Sequence, residues 1–179
     1  MPGFSWLRRR SPLPPALLDA LDPQEQVQLV ARLIGGDALA VSRFGLWLVS
    51  GEVAVRWNWD RVTKARLAGR TLAVIAAEEV AVTGDGTVLL TDLPAREFEL
   101  ASTSKLTDTV HARVRRSVAA SRHLPWPGAG GWVVLRRVPG HDGVIRQVRL
   151  DPGSDAHAAG FLAAVAEEAA QLEAELHGG

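Results

Sequence analysis

Residues 103–124 read TSKLTDTVHARVRRSVAASRHL, and this stretch decides the predicted fold because it follows a long run of strand-like segments. Its apolar residues recur every four positions, which places them on one stripe of a helix. These residues are Leu106, Val110, Val114 and Val118. Pro125 comes directly afterwards and disfavours further helix. The stretch therefore predicts a basic amphipathic helix from Thr103 to Leu124.

The segments on both sides of this helix predict strands. From Val27 to Leu100, short apolar runs alternate with polar residues and are separated by turns. Gly84-Asp85-Gly86 is one such turn, and an Asp-Gly pair is a strong hairpin signal. Trp132 to Leu150 predicts a second hairpin, and a final helix follows it. This order predicts an α+β fold, in which a bent β-sandwich or partial barrel is closed by a helix and followed by a C-terminal β-hairpin and helix.

Length and composition limit the classes of protein to which the chain can belong. The 179 residues suit one domain, or one domain with an appendage, and 47% hydrophobic residues are enough for a core. The chain has no cysteine, which excludes disulfides and thiolate metal sites and fits a cytoplasmic location. Its longest apolar stretches fall short of the ~20 residues that span a bilayer, so no transmembrane segment is predicted. Prolines interrupt the apolar residues after Arg8-Arg9-Arg10, which argues against a signal peptide.

Three stretches carry a resemblance to a known family: ALAVSRFGLWL at 38–48, VRWNWDRV at 55–62, and the helix from Leu106 to Val118. Through them, the chain from Val27 to Leu124 resembles the bacterial members of the pleckstrin-homology-like (PH-like) superfold, which include GRAM-like domains. The resemblance implies a bent sandwich or partial barrel of seven strands, closed at one end by a C-terminal helix. The region after Arg113 also resembles actinobacterial proteins of about this length.

The resemblance and the turn signals together predict three parts. Residues 1–15 form a flexible basic leader, residues 16–125 a PH-like β-domain with its closing helix, and residues 126–179 a hairpin-helix extension packed on the same domain. The apolar stripe of the final helix is too wide to leave in water. We expect it to pack on the chain's own sheet beside Trp132 and Val134, with pairing to another chain as the alternative.

No combination of residues in the sequence has the pattern of a catalytic or metal site. The five histidines are scattered, and no pair has the spacing of metal ligands on one helix face. Ser154-Asp155-Ala156-His157 contains the residue types of a catalytic triad, but neighbours in sequence do not supply convergent side chains. Capping of the final helix explains this segment. The sequence predicts a non-enzymatic protein without a cofactor or metal.

Charge is divided unevenly along the second half of the chain, although the whole chain has 20 basic and 20 acidic residues. Residues 105–149 carry nine basic and two acidic side chains, a net charge of +7, whereas residues 150–179 carry six acidic side chains and no Lys or Arg. One interpretation is that the acidic final helix lies against the basic helix and hairpin. The other is a surface for an anion, because arginine clusters bind phosphate or carboxylate in a bidentate manner. The candidate binding residues are Arg113, Arg115, Arg116, Arg122, Arg136 and Arg137.

These observations predict a binding module. Its expected role is protein–protein interaction, as an accessory or adaptor with an unidentified protein partner. The alternative is binding of an anionic ligand, either an acidic lipid head group or RNA, through the surface from Arg113 to Arg149. Against RNA, no recognised nucleic-acid-binding motif is visible in the sequence.

Overall fold

The computed structural model describes residues 13–178, which form two β-sheets and three helices. The protein is mostly β, with 46% strand, a curled half-barrel sheet and a C-terminal helix, and this architecture is compatible with the predicted α+β class. In chain order the elements are α1 (Pro15–Ala20), β1 (Val27–Arg32), β2 (Ala38–Ser42), β3 (Gly45–Ser50), β4 (Val53–Asn58), β5 (Val62–Ala68), β6 (Thr71–Val82), β7 (Val88–Asp92), β8 (Arg96–Glu99), α2 (Leu106–Ser117), β9 (Val118–Trp126), β10 (Ala129–Arg136), β11 (Ile145–Leu150) and α3 (Phe161–Gly178).

The first sheet is antiparallel, with strand order β1-β2-β3-β4. β2 is buried along its whole length, because Leu39 and Val41 face the main core while Ala40 faces a smaller cluster around α1. This burial on both faces explains its continuous apolar sequence. Gly45 begins β3 where it passes close to β4, and a Cβ at this position would clash with the carbonyl oxygen of Trp57.

The second sheet runs β5-β6-β7-β11-β10-β9, and β8 pairs with β6 beside this path. β6 is long enough to join two halves of the sheet, since its first half pairs with β5 and its second half with β7. β7 then pairs in parallel with β11, so the C-terminal strands continue the same sheet. The predicted division at residue 125 falls inside β9, and the three-part organisation stays a prediction.

α2 closes the space between the two sheets. It contacts β1 and β2 of the first sheet and β5 of the second. Leu106 and Val110 are fully buried in the main core, among residues from both sheets. The apolar stripe that identified the helix in the sequence is therefore its core-facing side.

The predicted continuation of this helix to Leu124 is wrong, because α2 ends at Ser117 and the next nine residues form β9. Ser117 Oγ donates a hydrogen bond to the carbonyl oxygen of Val114 at 2.7 Å, a local contact that competes with regular helix. Val118 is β-branched and suits a strand. β9 pairs with β10 along its length, and these long-range bonds outweigh the four-residue repeat. The predicted hairpin is consequently a three-stranded unit.

α3 packs on the chain's own sheet, as expected, but on the opposite face from the one predicted. Its buried residues form a cluster with Val133, Leu135 and Val148. Trp132 and Val134 alternate with these residues along β10 and point away from α3. On this face Trp132 is partly exposed, whereas Val134 is buried by other parts of the protein.

α1 packs on the outer face of the first sheet, where Leu17 is fully buried and Leu13 lies against the same cluster. The predicted leader at residues 1–15 lies mostly outside the described residues, and its last residue, Pro15, begins α1. Among residues 13–178, no helix is both long and apolar enough to cross a membrane.

Candidate anion-binding cleft

Four arginine side chains from three separate parts of the chain line one cleft of about 320 Å³, which we call the arginine cleft. Arg43 comes from the turn between β2 and β3, Arg113 and Arg116 from α2, and Arg137 from the residue after β10. The remaining lining residues are Trp59, Ser117, Val138 and Pro139. The cleft thus lies where the first sheet, the closing helix and the C-terminal strands meet.

Local hydrogen bonds hold two of these arginines in position. Ser42 Oγ accepts hydrogen bonds from the backbone amides of Phe44 and Gly45, at 3.2 and 3.1 Å, and so fixes the turn that presents Arg43. The Arg43 guanidinium lies 5.5 Å from the centre of the Phe44 ring. At the other side, the amide of Arg137 donates to the carbonyl oxygen of Ser117 at 2.7 Å. This bond ties the end of β10 to the end of α2.

The four arginines of the cleft have no close acidic partner in the part of the chain that the structure describes. Within residues 13–178, no Asp or Glu oxygen lies within ion-pair distance of any of the four arginines. Burial lowers the pKa of Arg113, and the nearby charges of Arg116 and Arg43 lower it further. The three guanidinium groups therefore repel one another, which an anion in the cleft would relieve.

The structure brings together three of the six candidate residues, namely Arg113, Arg116 and Arg137. Arg115 is exposed on α2 but does not line the arginine cleft. Arg122 lies on β9 and forms ion pairs with Glu168 at 2.6 Å and with Glu175 at 2.9 Å.

Arg136 also differs from the cleft arginines, because it is buried. Its Nη1 donates to the carbonyl oxygen of Trp59 at 3.1 Å and to Ser117 Oγ at 2.7 Å. Arg137, the residue after β10, lines the arginine cleft, whereas Arg136 does not.

The interpretation that basic residues lie against the acidic final helix holds for part of the basic set, and the anion-binding interpretation stays a prediction. Arg122 and Arg146 pair with the acidic final helix, Arg146 through Glu173 at 2.6 Å. Arg113, Arg116 and Arg137 form no ion pair with α3 among the described residues, although Arg137 also lines a neighbouring cleft with Asp142 and Glu173.

Arg43 is the one lining arginine that the sequence did not indicate. It stands alone in a turn, far from the other three in the chain, and nothing in its immediate sequence marks it. Only the antiparallel pairing of β2 with β3, which places their turn beside α2, brings it to the site.

The described residues contain no comparable cluster of metal-binding side chains. No group of three or more His, Asp or Glu residues among positions 13–178 is placed to hold a metal ion. Comparisons of the chain with protein-family models, curated proteins and solved structures found no match. The functional argument therefore rests on the geometry and charge of the cleft.

Proposed function

We propose that this chain is a non-enzymatic, PH-like binding module whose arginine cleft receives a compact phosphorylated group, such as the head group of an acidic lipid. The convergence of Arg43, Arg113, Arg116 and Arg137 without carboxylate partners among the described residues carries this proposal. A cytoplasmic location belongs to the proposal and fits a chain without cysteine.

The PH-like assignment is supported by the arrangement of β1–β6, β8 and α2. A four-stranded antiparallel sheet is followed by a second sheet that begins with β5, β6 and β8, and α2 then packs between the two. This is the order that the resemblance in the sequence implied. β7 and the three C-terminal strands extend the second sheet beyond that unit.

Phosphate is the ligand chemistry that fits the cleft. A guanidinium group presents donors that match two oxygens of a phosphate, and such charge-assisted hydrogen bonds are stronger than neutral ones. A cleft of about 320 Å³ is at the lower end of the range for small-molecule sites. The site is therefore suited to a compact group with several negative charges.

The lining favours a head group over RNA. Proteins that bind single-stranded RNA stack bases on accessible aromatic rings. Among residues 13–178, Trp59 is the only aromatic side chain that lines the arginine cleft. It is 2% exposed and donates its Nε1 proton to the carbonyl oxygen of Ser42 at 3.2 Å. It is not free to stack on a base.

Vesicle sedimentation tests the proposal. The full chain should bind phosphatidylcholine vesicles that contain phosphatidylinositol bisphosphate, and should bind weakly to phosphatidylcholine alone. Arg116→Glu combined with Arg137→Glu should abolish this difference, whereas Arg115→Glu, on the same helix but outside the cleft, should retain most of it. The proposal is overturned if Arg115→Glu loses as much vesicle binding as the double variant. It is also overturned if the full chain binds an RNA oligonucleotide in preference to these vesicles.

Protein–protein interaction is the second candidate function, and the exposed edge of the first sheet favours it. Among the described strands β4 pairs with β3 alone, and its side chains Val53 and Val55 are 61% and 49% exposed. An open edge with apolar side chains can accept a strand from a partner. Val55→Lys should weaken capture of such a partner without unfolding the protein; unchanged capture would exclude this edge as the interface.

A further inference from the structure

Trp132 lies on β10, on the sheet face opposite to α3, and 43% of this residue is exposed. In the register of the sheet it is paired directly with His123 on β9 and with Arg149 on β11. Directly paired residues point to the same side of a sheet. The indole ring therefore stands between an imidazole and a guanidinium group in one row across three strands.

Each neighbour of Trp132 belongs to a hydrogen-bonded pair with an aspartate. His123 Nε2 lies 2.7 Å from Asp151 Oδ2, and the His123 ring meets the indole edge-on with the ring centres 5.3 Å apart. Arg149 Nε donates to Asp92 Oδ1 at 2.8 Å, and Arg149 Nη2 donates to Asp92 Oδ2. These bonds fix the polar groups around the indole. We call these five residues the tryptophan platform.

The two pairs leave hydrogen-bonding capacity for a ligand. In the part of the chain that the structure describes, Arg149 Nη1 and Asp151 Oδ1 have no hydrogen-bond partner. The Arg149 and Asp151 side chains are 34% and 37% exposed, so a ligand can reach both. The tryptophan platform thus presents a free donor and a free acceptor beside an aromatic surface.

Two small clefts, each of about 150 Å³, share Trp132 and Arg149 in their lining. One lies toward α2, and the other toward the turn that follows β11. A protein cavity of about this volume holds benzene, so either cleft has room for one six-membered ring. A ring in either cleft lies against the indole of Trp132.

The charges of the tryptophan platform decide which kind of ring fits. Its two carboxylates, Asp92 and Asp151, face one guanidinium group, Arg149, so it lacks the excess positive charge that favours a phosphate. Below the platform, the buried charge of Arg136 is opposed by that of Asp60. The guanidinium of Arg149 also repels an organic cation. A neutral ligand with several hydroxyl groups fits, because each hydroxyl both donates and accepts hydrogen bonds.

We propose that the tryptophan platform binds a neutral carbohydrate. One pyranose ring places its C–H face on the indole of Trp132, whose negative π-face attracts the positively polarised C–H groups. The ring hydroxyls donate to Asp151 and accept from Arg149. The site is separate from the arginine cleft and does not depend on the function proposed for that cleft.

NMR titration of the full chain tests the proposal, because each of the six tryptophans gives its own indole N–H signal. The Trp132 signal is assigned by its loss in Trp132→Ala. The probes are the neutral disaccharides maltose, cellobiose, lactose and diacetylchitobiose, with adenosine as a neutral stacking ring of another class. At least one disaccharide should shift the Trp132 signal to saturation, and it should bind more tightly than adenosine.

Backbone amide shifts then compare the variants with the same disaccharide. Trp132→Ala should weaken binding at least about tenfold, because the stacking surface is lost. Asp151→Ala should also weaken it, because an acceptor for the hydroxyls is removed. Val80→Ala, which shortens a side chain of β6 that is 49% exposed, is the control and should bind like the wild type. Arg116→Glu, in the arginine cleft, should do the same.

The proposal is overturned if none of these disaccharides shifts the Trp132 signal, or if adenosine binds more tightly than all of them. It is also overturned if Trp132→Ala or Asp151→Ala binds the disaccharide like the wild type, or if Arg116→Glu abolishes the binding.

Discussion

Arg136 Nη1 donates a 2.7 Å hydrogen bond to Ser117 Oγ, and this bond joins the end of β10 to the last turn of α2. Ser117 lines the arginine cleft. The bond therefore connects one wall of that cleft to the buried Arg136 side chain. The same serine also bonds back to Val114, at the point where helix changes to strand.

Ser117→Ala removes the acceptor for the buried Arg136 guanidinium. Because a hydrogen bond to a charged group contributes about 1.5–3 kcal/mol, we expect the free energy of unfolding to fall by about 2 kcal/mol. Urea denaturation measures this change. Ser121→Ala, at an exposed position on β9, is the matched control and should leave the midpoint nearly unchanged; equal midpoints for the two variants would show that the bond contributes little.

Because α2 closes the core, we expect substitutions on its core-facing side to lower the free energy of unfolding strongly. Leu106 is fully buried, and Leu106→Ala should lower the free energy of unfolding by about 3 kcal/mol through lost burial and the remaining cavity. Leu162, which is 38% exposed on α3, provides the control, because its replacement by alanine should cost much less. If both variants unfold at similar denaturant concentrations, α2 is not docked as described.

Glu25 connects the N-terminal segment to the first sheet through a buried side chain. It accepts from Trp47 Nε1 at 3.0 Å and from Arg56 Nη1 at 2.7 Å, and Ser42 Oγ also donates to it. Glu25→Ala leaves these donors without an acceptor and should cost about 3 kcal/mol. Asp22→Ala, which removes an exposed partner of the same arginine, should cost under about 1 kcal/mol. Thermal unfolding of both variants checks the difference.

Much of the fold could be predicted from local patterns, because its strands and turns have local causes. The hairpin at Gly84-Asp85-Gly86 depends on turn chemistry, and the start of α2 on its apolar repeat. The end of α2 could not be predicted in this way. Val118 continues the repeat, and only its pairing with β10, through residues far along the chain, makes it a strand.

The candidate site also combines features with a local sequence signal and features that depend on tertiary contacts. Arg136 and Arg137 could have been separated from the sequence alone, since neighbours on a predicted strand point to opposite faces. The ion pairs of Arg122 depend on where α3 docks, and the contribution of Arg43 depends on the placement of its turn beside α2. Both are tertiary contacts without a local signal.

The ion pair between Glu173 and Arg146 predicts a pH dependence. The hydrogen bond from Arg146 lowers the pKa of Glu173 below that of a free glutamate. The stabilisation is therefore present above the unfolded-state pKa, about 4.3, and is lost as the pH falls further. Glu173→Gln should lower the free energy of unfolding by about 0.5 kcal/mol at neutral pH, and this difference should shrink in acid. Denaturation at several pH values measures it; a constant difference would exclude the carboxylate as its cause.

Titration of the full chain with inositol trisphosphate, a soluble phosphorylated head group, tests the central claim most directly. At ~50 mM salt, where screening is weak, the wild type and Arg115→Glu should bind with similar affinity. The variant that combines Arg116→Glu with Arg137→Glu should bind inositol trisphosphate at least about tenfold more weakly, because two charge-assisted contacts become repulsive. Absence of binding to the wild type, or equal losses in the cleft variant and the Arg115→Glu control, would contradict the assignment of the arginine cleft as a phosphate-binding site.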